Sequence, residues 1–404
     1  MSRVVFELMS NGDEQGVSDV GRYLGDSVVV RALEAWARDR ALSLEVPDEP
    51  WRRRGGSGAL LARLRITPTV EFGDSVDVIL KVCSKGSPAG EARNYERAWL
   101  SSPTFASRHL IRQLFQPQTV EDGRVLMFLD SSEMVSNSQT VGEMEPAYQQ
   151  LGAAEAIRSI LYRWNEPTGW TRRRTSASEF LRLELRGALN RGRSAYRWAD
   201  RAGLMVDDVD WFGVRIGKSG KLPNPIHLLN DDSAFSKIDV DYVLGYSHGD
   251  LHVDNIVVPL TDGQPDFGQI RLIDLSGYSS SAPLSRDVAT LLLSLILPTV
   301  RAKTNSGGDM HTLVRLLIDA DFSHSDLEES VIAQSVHRVR AAVIRGLDYE
   351  LKRIFQIQYL LSLLAQAITY TSYSNVGEVG RQWYFAFGLE VVKKVNEMVD
   401  FKSD

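Results

Sequence analysis

The chain has 404 residues, 43% hydrophobic and 24% charged, with 46 Lys and Arg against 52 Asp and Glu, a formal charge of −6. That size and composition exclude a disordered, collagen-like or disulfide-knit chain, and the acidic balance excludes a generic nucleic-acid coat, which draws on surplus cationic charge. The single cysteine, Cys83, forms no internal disulfide and fits a reducing compartment.

In chain order, Val28 to Leu42 carries helical spacing, with Val29, Leu33, Trp36 and Ala37 on one face. Gly55, Gly56 and Gly58 mark a glycine turn ahead of a strand from Ala59 to Ile66. A second strand, Val76 to Val82, carries Lys81 near its end, and Gly90 to Leu100 reads as a helix. Strands are expected around Ile111 to Phe115 and over Val125 to Leu129, the latter after an Asp122-Gly123 turn. Beyond residue 130 the pattern turns helical: Pro146 to Trp164, Arg286 to Leu297, Ser330 to Leu347, Glu350 to Tyr370 and Val379 to Val399. The apolar run Val288 to Val300 is broken by Pro298 and is shorter than the ~20 residues a membrane span needs. The opening, Met1 to Gln15, lacks the basic-then-apolar pattern of a secretion signal, so a cytoplasmic protein without a membrane partner is expected. Thr171 to Arg201 holds nine arginines and reads as a solvated helix face plus a loop. The domain reading is a small β-rich lobe over 1–130 and a larger helical lobe over 131–404.

The chemistry is concentrated between Tyr246 and Asp287. His248-Gly249-Asp250-Leu251-His252-Val253-Asp254-Asn255 leads into an apolar strand, Ile256 to Leu260. A turn-rich stretch, Thr261 to Gly268, precedes a second strand, Gln269 to Ile273, which ends at Asp274. A hairpin of these strands brings Asn255 beside Asp274, with Asp250 on the loop feeding the same end. An amide oxygen and a carboxylate suit Mg²⁺, a hard cation that keeps waters and substrate phosphates as its remaining ligands. A further carboxylate there is placed to take a hydroxyl proton.

This segment resembles the kinase-like phosphotransferases, in the aminoglycoside phosphotransferase and choline kinase branch, whose catalytic loop reads His-Gly-Asp, four residues, then Asn, with a metal-binding Asp after a hairpin. The resemblance implies a bilobal, protein-kinase-like α+β fold. It makes Asp250 the catalytic base, His248 the structural histidine of the loop, Asn255 and Asp274 the magnesium ligands, and Asp287 the brace of the catalytic loop. In the N-lobe it implies that Lys81 contacts the phosphates of ATP and pairs with a helix glutamate, Glu91 or Glu96, with Glu96 better matching the family spacing. It further implies that Gly55, Gly56 and Gly58 admit phosphates, and that Phe128 and Leu129 lie at the hinge that holds adenine. ATP and Mg²⁺ are the cofactors implied, and the acceptor a hydroxyl of a small molecule. The alternatives are a nucleotide-binding, pseudokinase-like switch or scaffold, and a protein kinase in bacterial signalling. The seven aspartates Asp207, Asp208, Asp210, Asp231, Asp232, Asp239 and Asp241 are those available to cradle a polycation.

Four other patterns are set aside. The literal Asp266-Phe267-Gly268 follows Pro265, which donates nothing to a strand ladder. Gly217-Lys218-Ser219 lacks a P-loop's upstream glycine, since residue 212 is Phe212. His248 and His252 have zinc-helix spacing, but Gly249 stands where a metalloprotease carries glutamate. Trp383, Tyr384, Phe385 and Phe387 read as core.

Overall fold

A computed structural model describes residues 18–55, 59–70, 73–83, 88–131, 138–166, 169–205, 208–210, 221–306, 311–319 and 330–400. The chain divides into two compact units, Met1–Ala92 with Arg112–Val135, and Arg93–Ile111 with Ser136–Asp404. The fold is α+β, β-rich in the first unit and mostly helical in the larger second.

The first unit opens with α1 (Asp19–Leu24) and α2 (Ser27–Arg38). Asp26 caps α2 by accepting from the Val29 N–H at 3.1 Å, which satisfies one of the free donors of the first turn. The helix stops before the expected Leu42: Ala41 takes φ 52° and Leu42 begins a strand, β1 (Leu42–Glu45). Sheet pairing with Pro68 to Arg65 outweighs the continuing helical periodicity. The other strands are β2 (Arg52–Arg54), β3 (Leu60–Pro68) and β4 (Val76–Cys83). After α3 (Pro88–Ser101) and α4 (Pro103–His109) come β5 (Gln113–Thr119) and β6 (Val125–Asp130). The antiparallel sheet runs β1-β3-β4-β6-β5, with β2 on β3. Its inner face carries Leu64, Leu80 and Phe128 against Val29, Leu33 and Trp36 of α2, with the Trp36 and Phe128 rings stacked at 4.3 Å. The division between units falls within α3, after Ala92.

The second unit continues with β7 (Ser138–Thr140) and α5 (Pro146–Arg158), which runs on as a π-helical stretch to Trp164. The arginine-rich segment is a strand and two helices, β8 (Thr171–Ser176), α6 (Ala177–Leu185) and α7 (Ser194–Arg201), rather than a helix face with a loop. Strand alternation puts Arg172 and Arg174 on one face of β8, where they meet Asp241 and Asp239 of the next long strand. A small hairpin, β9 (Asp208–Asp210) with β10 (Lys221–Pro223), precedes that strand, β11 (Asp239–Ser247). Then come β12 (Ile256–Thr261), β13 (Gln264–Pro265), β14 (Arg271–Leu272) and β15 (Ser279–Pro283). The remaining helices are α8 (Ser285–Ser306), α9 (His311–Ile318), α10 (Val331–Ile344), α11 (Tyr349–Tyr370) and α12 (Gly377–Asp400). Helix α8 carries Pro298 inside it, so that proline does not end the run. Trp383, Tyr384, Phe385 and Phe387 are all buried, as core residues should be. Among the described residues no helix is long and apolar enough to cross a membrane.

Candidate active site

Strand β11 delivers the chain to His248 after Ser247 and pairs on either side with β8 and β15. Past Ser247 the chain forms an irregular loop whose shape is held by side chains rather than by a ladder. Asp287, in the first turn of α8, accepts from the backbone N–H groups of His248 and Gly249, each at 2.8 Å. Two charge-assisted hydrogen bonds from one buried carboxylate lock the two peptides that precede Asp250. Gly249 has φ 80°, a conformation that disfavours any side chain. A Cβ there would stand 1.9 Å from the carbonyl oxygen of Gly277, and one on Gly277 would stand 2.7 Å from the Gly249 carbonyl carbon. The two glycines thus let the loop before Asp250 lie against the loop after Asp274.

His248 ties the same two loops together. Its Nδ1 accepts from the Asp250 N–H at 3.3 Å and its Nε2 lies 2.7 Å from the Ile273 carbonyl oxygen. Since a carbonyl only accepts, Nε2 carries the proton and donates. Both ring nitrogens are spent on this link, which removes His248 as a zinc ligand.

The hairpin forms, with a second strand shorter than the expected Gln269 to Ile273, since Phe267–Gln269 is a 3-10 turn and only Arg271–Leu272 forms β14. Ile256 faces Leu272, Val257 faces Arg271, and the Ile273 N–H donates to the Asn255 carbonyl at 3.1 Å. Asn255 and Asp274 therefore flank one end of the ribbon. Asn255 is 5% exposed, and its Nδ2 donates to the Asp250 carbonyl at 2.9 Å. The amide nitrogen being committed, the amide oxygen is the atom left to ligate. Asp274 adopts φ 60°, and its carboxyl oxygen Oδ1 is buried. An amide oxygen and one carboxylate, with no cluster of three His, Cys, Asp or Glu among the described residues, form a donor set that fits Mg²⁺, which takes its other ligands from waters and phosphates. Asp266 stands elsewhere. Its carboxylate accepts from the Gly268 N–H at 3.0 Å, closing a short turn, and its own N–H donates to Pro259, toward the far end of β12 from Asn255.

Aromatic packing fixes the loop after Asp274. Tyr278 stacks on Trp164 at 5.6 Å, and Trp164 stacks in turn on Phe105 and Tyr246. Asn94 Nδ2 donates to the Ser276 carbonyl at 2.8 Å.

In the first unit, Lys81 Nζ forms an ion pair with Glu91 at 2.5 Å, the two residues being 6% and 5% exposed. Cys83 Sγ lies 3.4 Å from the other Glu91 oxygen, since residues 81 and 83 share a face of β4. Glu96 is exposed; the expected pairing with it is corrected to Glu91. Helical spacing puts residues five apart about 140° apart around the axis, so only one of the two glutamates faces the strand. Gly55 ends β2, where its N–H donates to the Ala59 carbonyl at 2.8 Å; Gly56 and Gly58 lie outside the described residues, as do Asp207 and Gly217 to Ser219. Phe128 and Leu129 sit in β6, between β4 and β5. Both side chains are buried, and their pairing on both sides places them in the sheet core rather than in a segment with backbone to spare for adenine.

One residue at the loop before Asp250 carries no signal in the sequence. Arg186 lies far from the loop in the chain, on a segment with no motif, and ends α6 in a left-handed conformation with its guanidinium against Gly249 and Gly277.

No protein-family model and no curated protein matches the sequence. Solved structures that resemble it include an aminoglycoside-3'-phosphotransferase of type VIII, with 18% identity over 85% of this chain and 100% of that one, TM-score 0.41. The Plasmodium vivax ethanolamine kinase has 14% identity over 90% of this chain and 83% of its own, TM-score 0.39. The choline kinase LicA from Streptococcus pneumoniae has 11% identity over 90% and 98%, TM-score 0.36.

Proposed function

We propose that the chain is an ATP- and Mg²⁺-dependent phosphotransferase that moves the γ-phosphoryl group of ATP to a hydroxyl of a small molecule. The observation that carries this reading is the clamp of Asp287 on the His248 and Gly249 N–H groups, which orients Asp250 on the loop that also positions Asn255. In the step proposed, the acceptor oxygen bonds to the γ-phosphorus as the bond from phosphorus to the departing ADP oxygen breaks, and the hydroxyl proton passes to the Asp250 carboxylate. Asn255 and Asp274 would hold Mg²⁺, which neutralises phosphate charge. Lys81, aimed by Glu91, would contribute its ammonium to the nucleotide phosphates, and the turn at Gly55 lies on the same sheet. An activity that consumes ATP belongs in the cytoplasm, where a buried, reduced Cys83 is at home.

The test is ATP turnover over a panel of alcohols by wild type, Asp250→Asn and EDTA-treated protein. Phosphoryl transfer should fall at least about 100-fold in Asp250→Asn with an unchanged melting temperature, and should stop on metal removal. Nucleotide binding that stabilises the fold without transfer to any acceptor would favour a switch or scaffold instead.

A further inference from the structure

Arg186 ends α6 in the left-handed conformation, with φ 47°, which is uncommon for a long side chain. Its place is set two residues earlier, where Glu184 and Arg286 form an ion pair at 3.0 Å that is shut off from solvent. From there its guanidinium reaches the catalytic loop. Nη1 donates to the Gly277 carbonyl at 3.0 Å, and Nη2 lies 2.7 Å from the point a Cβ on Gly249 would occupy, one residue before Asp250. Among the described residues no carboxylate lies within ion-pairing distance of it, and one hydrogen bond uses a single donor of five. The residue as a whole is exposed, although protein crowds its guanidinium. That desolvation, and then the charge of Arg286, pull it down to about 10, so it stays cationic at neutral pH.

Tyr373, in the turn after α11, is 37% exposed, and its phenol is raised by burial and then by the charge of Asp250, with Arg186 opposing. Three of the seven acids that could have cradled a polycation are engaged in ion pairs with arginines. Asp239 pairs with Arg174 at 2.8 Å, Asp241 with Arg172 at 3.4 Å, and Asp231 with Arg182.

We infer that Arg186 borders the acceptor's place beside Asp250, and that the acceptor carries an anionic group, a carboxylate or a phosphate, which Arg186 binds next to the reacting hydroxyl. This rests on the reading of Asp250 as proton acceptor. A guanidinium offers two parallel donors that match either oxyanion, whereas an ammonium-bearing alcohol meets like charge there.

The full-length protein with ATP and Mg²⁺ is to be offered glycerate, gluconate and glycerol phosphate in parallel with choline, ethanolamine and kanamycin, with products read by mass spectrometry. Only the anionic alcohols should be phosphorylated, and the carboxylate and phosphate arms tell the two oxyanions apart. Arg186→Met should raise the KM for the acceptor at least about tenfold with a smaller change in kcat and no change in the KM for ATP, while Arg186→Lys restores part of the loss. Independently of turnover, the anionic compounds should raise the melting temperature of the ADP-bound wild type but not that of Arg186→Met. Phosphorylation of the ammonium alcohols, an equal thermal response in both proteins, or no response to any anionic compound would each overturn the inference. The underlying reading fails separately, if Asp250→Asn transfers phosphate at the wild-type rate.

Discussion

Lys81 and Glu91 illustrate how much one buried pair decides. Two opposite charges withdrawn from water cost little while they stay together, but removing one leaves the other uncompensated, at about 3–5 kcal/mol. Glu91→Gln is therefore expected to lower unfolding free energy by about 3 kcal/mol in urea titrations, while Glu96→Gln, at an exposed position, should stay within about 0.5 kcal/mol of wild type. Equal effects of the two substitutions would contradict the pairing. The lysine was legible from the strand Val78 to Val82; its partner was not, because either glutamate satisfied the spacing and the rotation of α3 about its axis chose between them.

At the scale of elements, the candidate site is two loops pressed together at the open end of a hairpin. Gly249 and Gly277 set how closely they approach, and Asp287 sets the direction of the first loop from the start of α8. Gly249→Ala should abolish transfer and lower the melting temperature, because the methyl group meets a carbonyl oxygen and a positive φ together. Asp287→Ala orphans two buried N–H groups and is expected to cost about 3 kcal/mol. Retention of wild-type transfer by either variant would show that the loop keeps its shape by other means. The hairpin itself was legible from its two apolar runs, although the second strand is shorter than expected, Arg271–Leu272, because Phe267–Gln269 closes into a 3-10 turn. The extent of α2 and of α8 was not, since periodicity missed the recruitment of Leu42 into the sheet and a proline signal overstated the break at Pro298.

Over the whole molecule, two groups in different units contribute to the acid limb of stability. His109 is held below its usual value by burial and then by nearby arginines, against the bond to Ile270. Its Nδ1 lies 3.1 Å from that carbonyl and its Nε2 faces Arg163 Nη1 at 3.4 Å, so a second ring proton would meet a guanidinium. The folded protein thus favours the neutral ring. The stability this brings is complete above about pH 6.5 and is lost as pH falls toward the depressed folded value. Thermal melts from pH 7 to pH 5 should show the decline, and His109→Gln should flatten it. Asp26 is lowered to about 2, chiefly by its hydrogen bonds with Arg124. Its contribution, about 1 kcal/mol after solvent screening, is present above pH 4 and disappears toward pH 2. A melting temperature that stays level to pH 2 would refute both.

Sequence by itself determined what is local: the strands of the first unit around Lys81, the long helices α8, α10, α11 and α12, the hairpin that pairs Asn255 with the neighbourhood of Asp274, and the acid that begins α8. Each follows from spacing within a few residues, where backbone geometry leaves few choices. Tertiary structure alone decided which glutamate meets Lys81, how Phe128 and Leu129 are buried, and that Arg186 reaches the loop before Asp250. Those outcomes depend on helix rotation, strand order and loop turns summed over long stretches of chain, which no local pattern encodes.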